Sequence, residues 1–142
     1  MNIKDFLRTI YLGDRACKAI LIDSWNETIK IQVDCISRIR SETWNYYNDE
    51  NIEDGWIVFN GVQSCSFDPS GPIPNDLIDG LEFEGYAEDR STAKVLIKIA
   101  AVHPNVDEAG FISQPGCYVN VRITAQSIHL EDPKRPGIQI IE

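Results

Sequence analysis

The sequence predicts a mainly β domain, an antiparallel sandwich or open barrel of about seven strands with one short N-terminal helix. Apolar and polar residues alternate over much of the chain, which is the pattern of strands with one buried face. Clusters of turn-forming residues separate these runs. Helical spacing occurs only near the N-terminus, so an α+β fold is the alternative. The length of 142 residues fits a single domain over residues 1–142.

The helix is predicted over residues 3–12. Asn2 provides an N-cap for this segment, and Gly13 provides a stop after its last turn. The apolar residues recur at the i, i+3, i+4, i+7, i+8 spacing of an amphipathic helix: Ile3, Phe6, Leu7, Ile10 and Tyr11.

The other periodic segments predict strands. The first two form a hairpin around the polar residues Ser24–Glu27, and the last is a short edge strand. Segments 41–55, 68–76 and 103–116 lack apolar periodicity or are rich in turn formers, so they are predicted to be loops. The predicted strands cover residues 16–23, 28–36, 56–62 (resuming to Phe67), 77–86, 94–102, 117–131 and 138–141.

Strand alternation also predicts which residues are buried. Leu96 is an exception, because it is apolar on the otherwise wet face of its strand. The apolar phase flips after Ala125, and a one-residue β-bulge near Gln126 would return Ile128 and Leu130 to the core face. The predicted core residues are Ile29, Ile31, Val33, Cys35, Val95, Ile97, Ile99, Val119, Val121 and Ile123.

The net charge of −9 is concentrated in the middle third of the chain. Residues 1–40 carry a charge of +2, residues 41–92 carry −11, and residues 93–142 carry 0. A field of this sign repels nucleic acid and anionic lipid and attracts basic partners. The alternative interpretation is that the acid only keeps the protein soluble.

The termini and the cysteines favour the cytoplasm. Charged residues interrupt the N-terminal segment MNIKDFLR, so no secretory signal is predicted, and no apolar run is long enough to span a membrane. Thiols stay reduced in the cytoplasm. We therefore expect free thiols that act as small core residues, with no metal and no cofactor, at Cys17, Cys35, Cys65 and Cys117.

The sequence contains no recognisable catalytic motif. It lacks the nucleophile elbow G-x-S-x-G, the P-loop, the dinucleotide fingerprint and H-E-x-x-H. His129 faces opposite the apolar phase of its strand and is predicted to be an ordinary surface residue. We therefore expect a protein without enzymatic activity.

Two weaker chemical alternatives remain open. His103 stands at the start of a loop that also carries Asp107 and Glu108, and these three residues could bind a divalent metal with help from residues elsewhere. Glu82 and Glu84 lie two residues apart on the wet face of a strand and could form the catalytic carboxylate pair of a glycoside hydrolase. The same spacing arises on any solvated strand.

Segment 44–56 is the strongest candidate for a recognition surface, because its aromatic rings flank an acidic cluster in a stretch without buried periodicity. Aromatic anchors beside charge are typical of protein-binding surfaces. The alternative is that these rings cover the open end of a sheet. The predicted partner-binding residues are Trp44, Tyr46, Tyr47, Asp49, Glu50, Glu53, Asp54, Glu82 and Glu84.

Several short segments resemble known bacterial proteins. Residues 54–62 (DGWIVFNGV) resemble the F-x-G-V strand and turn of small β-rich immunity proteins, which neutralise bacterial polymorphic toxins. Residues 75–81 and 128–131 are similar in placement to the same pattern. Residues 10–15 (IYLGDR) also resemble an uncharacterised bacterial family. The resemblance implies a β-rich inhibitor and no catalytic residue.

The leading hypothesis is an immunity-type inhibitor that binds a basic toxin or effector through its acidic middle third. Such a protein would occupy a basic cleft by mimicking phosphate, and complementary charge would speed association. One alternative is an enzyme or small-ligand-binding protein with a pocket inside the sandwich. Another is a structural subunit that assembles through an edge strand, and a homo-oligomer is compatible with each.

Overall fold

A computed structural model describes residues 1–43, 50–102 and 117–142, and its described part is mainly β, as predicted. No helix in these ranges has the length and apolar character needed to cross a membrane. The described elements exceed the seven or so strands predicted. They are α1 (Ile3–Leu7), β1 (Ile10–Tyr11), β2 (Arg15–Asp23), β3 (Thr28–Val33), β4 (Cys35–Arg38), β5 (Ile52–Glu53), β6 (Trp56–Asn60), β7 (Ser64–Asp68), β8 (Leu77–Tyr86), β9 (Ala93–Ala101), β10 (Cys117–Ala125) and β11 (Ser127–Glu131).

The strands form two antiparallel sheets arranged as a sandwich. Eight strands pair in the order β11-β6-β3-β2-β8-β9-β10-β7, and the small sheet has the order β1-β4-β5. Between β2 and β8 the paired residues are Arg15 with Ile78 and Ala16 with Leu77. This short pairing links two halves, β11-β6-β3-β2 and β8-β9-β10-β7, whose buried faces contribute to one core. The predicted antiparallel sandwich is confirmed.

A corner joins the two halves where β6 continues into β7 and β10 continues into β11. β6 pairs with β11, and β7 pairs with β10. The phase change predicted near Gln126 is confirmed, because Ala125, Ile128 and Leu130 are all buried. Its form differs from a bulge within one strand: the chain turns at Gln126 and exchanges one partner strand for another.

The core contains nine of the ten residues predicted for it, each 2% exposed or less. Cys35 is the exception, because it is only partly buried. The alternation of β3 ends at Val33, and the Asp34 carboxylate accepts the N–H groups of Ala16 at 3.0 Å and Cys35 at 2.8 Å. The chain leaves the large sheet at this point, so Cys35 begins β4 in the small sheet. The predicted single strand over 28–36 is therefore wrong.

Helix α1 packs across β8 and β11 and is shorter than predicted. Asn2 caps it as expected, since the Asn2 side-chain oxygen accepts the N–H of Asp5 at 2.8 Å. The predicted continuation to residue 12 is wrong, because Ile10 and Tyr11 form β1 and pair with β4. Ile10 and Tyr11 therefore belong to the small sheet and not to the helix.

Two other predicted segments differ in the structure. Ile52 and Glu53 form β5 within the segment predicted to be a loop, and they pair with Ile36 and Cys35. The predicted final strand is reduced to an isolated bridge between Leu130 and Ile140.

Candidate functional site

The predicted partner-binding residues are distributed over different parts of the molecule. Glu50, Glu53 and Asp54 lie in or beside β5 of the small sheet, whereas Glu82 and Glu84 lie on β8 of the large sheet. The described positions therefore fall on two separate sheets. Trp44, Tyr46, Tyr47 and Asp49, together with the alternative metal residues His103, Asp107 and Glu108, lie outside the described residues.

Each of the five predicted partner-binding acids that the structure describes lies close to a basic side chain. The carboxylate-to-cation distances are 2.8 Å for Glu50 with Arg40, 3.1 Å for Glu53 with Lys134, 2.7 Å for Asp54 with Lys18, 3.9 Å for Glu82 with Lys98, and 3.1 Å for Glu84 with Arg122. Surface pairs of this kind stabilise a fold by only about 0–1 kcal/mol. Their main effect is electrostatic, because the basic partners compensate much of the acidic charge at these positions.

An apolar cleft lies between β2 and β7. Its volume is about 370 Å³, and its walls consist of Ile20 and Ile22 from β2, Phe67 from β7, and residues 70–74. Ile22 also lines an adjoining pocket of about 200 Å³. The two cavities therefore adjoin at Ile22.

The cleft is open because two strand edges border it. On the β8 side, the pairing of β2 covers Arg15 and Ala16, and the N–H of Cys17 donates to the carbonyl oxygen of Asp76 at 3.0 Å. Beyond this point the β2–β3 register shifts at Lys18, and Ala19–Asp23 pairs only with β3 among the described residues. Within the same part of the chain, β7 pairs only with β10. Both strands therefore present an edge toward this end of the sandwich.

The rim of the cleft is acidic. Asp23 and Glu27 line the adjoining pocket, and neither cavity is lined by a lysine or arginine from the part of the chain that the structure describes. Neither carboxylate forms an ion pair with a residue that the structure describes. Hydrogen bonds from the Asn26 side chain and N–H lower the pKa of Asp23, so this carboxylate keeps its charge into acidic solution.

Large exposed apolar side chains line the cleft or lie near it on β2 and the β2–β3 hairpin. Trp25 is 94% exposed at the tip of the β2–β3 hairpin, and Ile22 and Ile73 are 57% and 72% exposed. Leu21, on the opposite face of β2, is 52% exposed. Clustered exposed apolar residues beside polar rims mark interaction sites. Alternation and charge did not indicate this surface, although the run Ala19–Ile22 has no polar face and Trp25 stands in a turn.

His129 lies in a buried polar network, and its prediction as a surface residue is wrong. It is 4% exposed, its Nδ1 lies 2.8 Å from Asn60 Nδ2, and its Nε2 lies 3.1 Å from Glu131 Oε1. Lys30 Nζ lies 3.1 Å from the other oxygen of Glu131. Val58 beside it is also buried, so this face is not wet. The run Ile57–Phe59 was the available signal, since continuous apolar residues indicate burial on both faces.

The hydrogen bonds of this network fix the charge of Glu131. Burial raises the pKa of the Glu131 carboxyl. Hydrogen bonds from His129 and Lys30, together with the Lys30 charge, lower it by more, so the pKa lies below its usual value. Asn60 donates to Nδ1 when the His129 proton sits on Nε2 and is shared with Glu131. The hydrogen bonds of His129 and Glu131 described above are therefore all made to other residues of the fold.

A second, polar pocket of about 430 Å³ is lined mainly by Arg38, Arg40, Arg135, Glu50 and Asp132. Arg38 is buried, and burial lowers its pKa to about 10, so it remains a cation at neutral pH. Its Nη2 donates to the carbonyl oxygen of Glu142 and to Thr9 Oγ1. Arg40 and Arg135 contact Glu50 and Asp132 respectively. These three arginines therefore mainly make contacts within the chain that stabilise the fold.

The thiols differ from the predicted pattern of uniform burial. All four are free, but only Cys17 is buried, and Cys117 is exposed rather than inward-facing as predicted. Cys117 is the first residue of β10 and pairs with Ala101, the last residue of β9. Among residues 1–43, 50–102 and 117–142, no group of three or more His, Cys, Asp or Glu side chains is placed to hold a metal ion.

Comparison with known proteins identifies a family but no activity. No curated protein and no solved structure matches the chain. One family model matches it over residues 1–142, and the description of that family is "Family of unknown function (DUF6258)". The chain therefore belongs to the family of unknown function DUF6258.

Proposed function

We propose that this chain is a non-enzymatic protein-binding domain, an immunity-type inhibitor that neutralises a basic toxin or effector in the bacterial cytoplasm. The observation that carries the proposal is the apolar cleft between β2 and β7, with Asp23 and Glu27 on its rim. Apolar anchors at the centre of a contact supply affinity, and charge at its rim steers the partner and speeds association.

The structure changes which acidic residues are expected to matter most. Glu53 and Asp54 are compensated by Lys134 and Lys18, so their contribution to the long-range field is reduced. Asp23 and Glu27 have no such ion pair among the described residues and stand beside exposed apolar groups. We therefore place the centre of the partner surface at the cleft, with segment 44–56 as the competing surface.

Co-expression with the product of the neighbouring gene tests the proposal, because an immunity gene lies beside its toxin gene. We expect a stable complex, loss of the toxin's activity, and an association rate that falls as salt rises. A neighbouring product that is basic, folded and toxic, yet neither binds nor is inhibited, would contradict the proposal.

A matched pair of double variants locates the surface. Asp23→Asn with Glu27→Gln removes two carboxylates at the cleft and retains side chains that can hydrogen-bond. Asp54→Asn with Glu53→Gln removes two ion-paired carboxylates and the same amount of charge. We expect the first pair to slow association by about tenfold and the second to have a smaller effect. The reverse order would place the partner at segment 44–56.

A further inference from the structure

We infer that the partner binds by strand addition: an extended, basic segment of a protein pairs with the edge of β2 at Lys18–Asp23 and inserts alternate apolar side chains into the cleft. The inference rests on the proposed function and specifies its binding mode. Strand addition obtains affinity from main-chain hydrogen bonds and specificity from pockets for alternate side chains.

The edge of β2 is suited to accept a strand. Its pairing with β3 is regular from Ala19 to Asp23, after a register shift between Cys17 and Ala19, so the backbone of this stretch is already held in an extended form. Unpaired N–H and C=O groups along such an edge form a template for another chain. The six residues Lys18–Asp23 span about 20 Å at about 3.3 Å per residue, so they accommodate a segment of similar length.

The described residues that lie opposite the edge do not pair with it. Ser70–Pro74 border the cleft and contain Pro72 and Pro74. Proline has no N–H and cannot complete a ladder in the middle of a sheet. The two prolines thus explain why this loop lines the cleft and does not pair with β2.

The side chains of β2 separate the two faces of the site. Ile20 and Ile22 pair with Ile31 and Ile29, which are buried in the core, so Ile20 and Ile22 point to the inner face that lines the cleft. Leu21 lies between them and points to the outer face. An added strand would therefore place every second side chain against Ile20, Ile22 and Phe67.

The charge of the cleft rim favours a basic segment as the added strand. Among the described residues, the lining of the cleft and its adjoining pocket contains Asp23 and Glu27 and no basic residue. A second copy of this chain would bring the same two acids to the same rim, which is unfavourable because like charges would face each other. A segment with lysine or arginine beside its apolar residues complements the rim.

A synthetic peptide provides a test that does not depend on knowing the partner. The probe alternates Ile and Thr between lysine pairs, and two control peptides carry either glutamates at the ends or N-methyl groups on alternate residues. We expect the lysine probe to bind about tenfold more tightly than either control. Equal binding of all three would overturn the inference.

Two matched variants of the full chain locate the bound peptide. Ile22→Asn alters the inner face of β2, and Leu21→Asn makes the same kind of change one residue away on the outer face. Both side chains are more than half exposed, at 57% and 52%, so both variants should fold. We expect Ile22→Asn to weaken peptide binding by about tenfold and Leu21→Asn to change it by less than about twofold.

Amide hydrogen exchange provides the second readout. Main-chain pairing should slow exchange on the free edge within Lys18–Asp23 by at least about tenfold when the peptide is bound. Protection confined to other parts of the chain would overturn the inference. Dimerisation of the protein without peptide would also overturn the inference if Ile22→Asn abolished it, because the occupant of the cleft would then be a second copy of this chain. Complex formation with the neighbouring gene product but no protection of this edge would reject only the binding mode.

Discussion

Gln126 donates its main-chain N–H to the carbonyl oxygen of Asn60 at 2.9 Å, and this bond ties β6 to the start of β11 at the corner of the sandwich. Gln63 donates to the carbonyl oxygen of Thr124 at 2.8 Å on the other side of the same corner. Between the two bonds, Gly61 adopts φ +60°. The corner therefore depends on a residue in the left-handed region, which favours glycine.

We expect Gly61→Ala to lower the free energy of unfolding by about 1–2 kcal/mol, because an L-residue is strained in the left-handed conformation. A Cβ at this position would also lie 2.5 Å from Gln126 Oε1, so that flexible side chain must move. Gly80→Ala is the control, since its nearest contact would be Glu82 Oε1 at 3.9 Å. Denaturant unfolding measures both, and equal stabilities would contradict this account of the corner.

Much of the fold could be predicted from the alternation of apolar and polar residues, because in a strand with one wet face this pattern shows which side chains point to the core. The predicted segment 77–86 matches β8, and 117–125 matches β10. Errors occurred where a chain leaves one sheet for another, as at Asp34, or where helical spacing is shared by a turn and a short strand, as at Ile10 and Tyr11. Such changes depend on long-range pairing, which local periodicity does not encode.

Lys30→Ala is expected to cost less than about 1 kcal/mol at neutral pH, because Lys30 and Glu131 are each about one third exposed and solvent screens them. The pKa of Glu131 is lowered in the fold, so its contribution is present above the unfolded pKa of about 4.3 and is lost as pH falls through the folded value.

The stability difference between wild type and Lys30→Ala should therefore disappear at about pH 2. Urea unfolding at neutral and acidic pH measures this difference. Lys134→Ala is the control, because Lys134 and its partner Glu53 are 73% and 72% exposed. A difference that persists undiminished in acid would show that Lys30 stabilises the fold by packing.

His129→Phe is expected to lower the free energy of unfolding by about 1–3 kcal/mol, although phenylalanine has a similar shape and is more apolar. The substitution leaves the Asn60 amide without its hydrogen bond to Nδ1 and removes the donor to Glu131. His129→Gln, which retains hydrogen-bonding groups, should be less damaging. A fully stable His129→Phe variant would show that water replaces the lost partners.

The thiols should react in an order set by burial. Cys117 is exposed and should be alkylated first in the folded protein. Cys17 should react last, because burial raises the pKa of its thiol to about 11 and hides the sulfur. Timed alkylation followed by mass measurement gives the order, and unfolded protein should accept four labels. Rapid labelling of Cys17 without unfolding would contradict its buried position.

The candidate site was harder to predict than the fold. Composition located the acid in the middle third, but pairing is a property of the folded chain, as Lys18 with Asp54 and Lys134 with Glu53 show. The exposure of Ile22 follows from where β8 stops pairing with β2. Sequence alternation alone assigned Ile22 to a strand and could not show that its neighbour strand ends there.

Trp25→Ala tests whether the hairpin tip is an anchor of the partner contact. Trp25 is 94% exposed, so its removal should change the free energy of unfolding by less than about 0.5 kcal/mol. Tryptophan is enriched among residues that dominate binding energy. We expect the off-rate of the neighbouring gene product to rise by the equivalent of about 2 kcal/mol, with the on-rate little changed.

Trp44→Ala and Tyr47→Ala, measured in the same surface-binding assay, test the competing segment 44–56. If the cleft is the site, these two variants should release the partner at nearly the wild-type rate, and Trp25→Phe should retain part of the affinity. Melting temperature controls for folding in every variant. Faster release by Trp44→Ala with unchanged release by Trp25→Ala would move the partner surface away from the cleft. The acidic rim would then act only by attracting the partner at long range, since an uncontacted charge changes association more than dissociation.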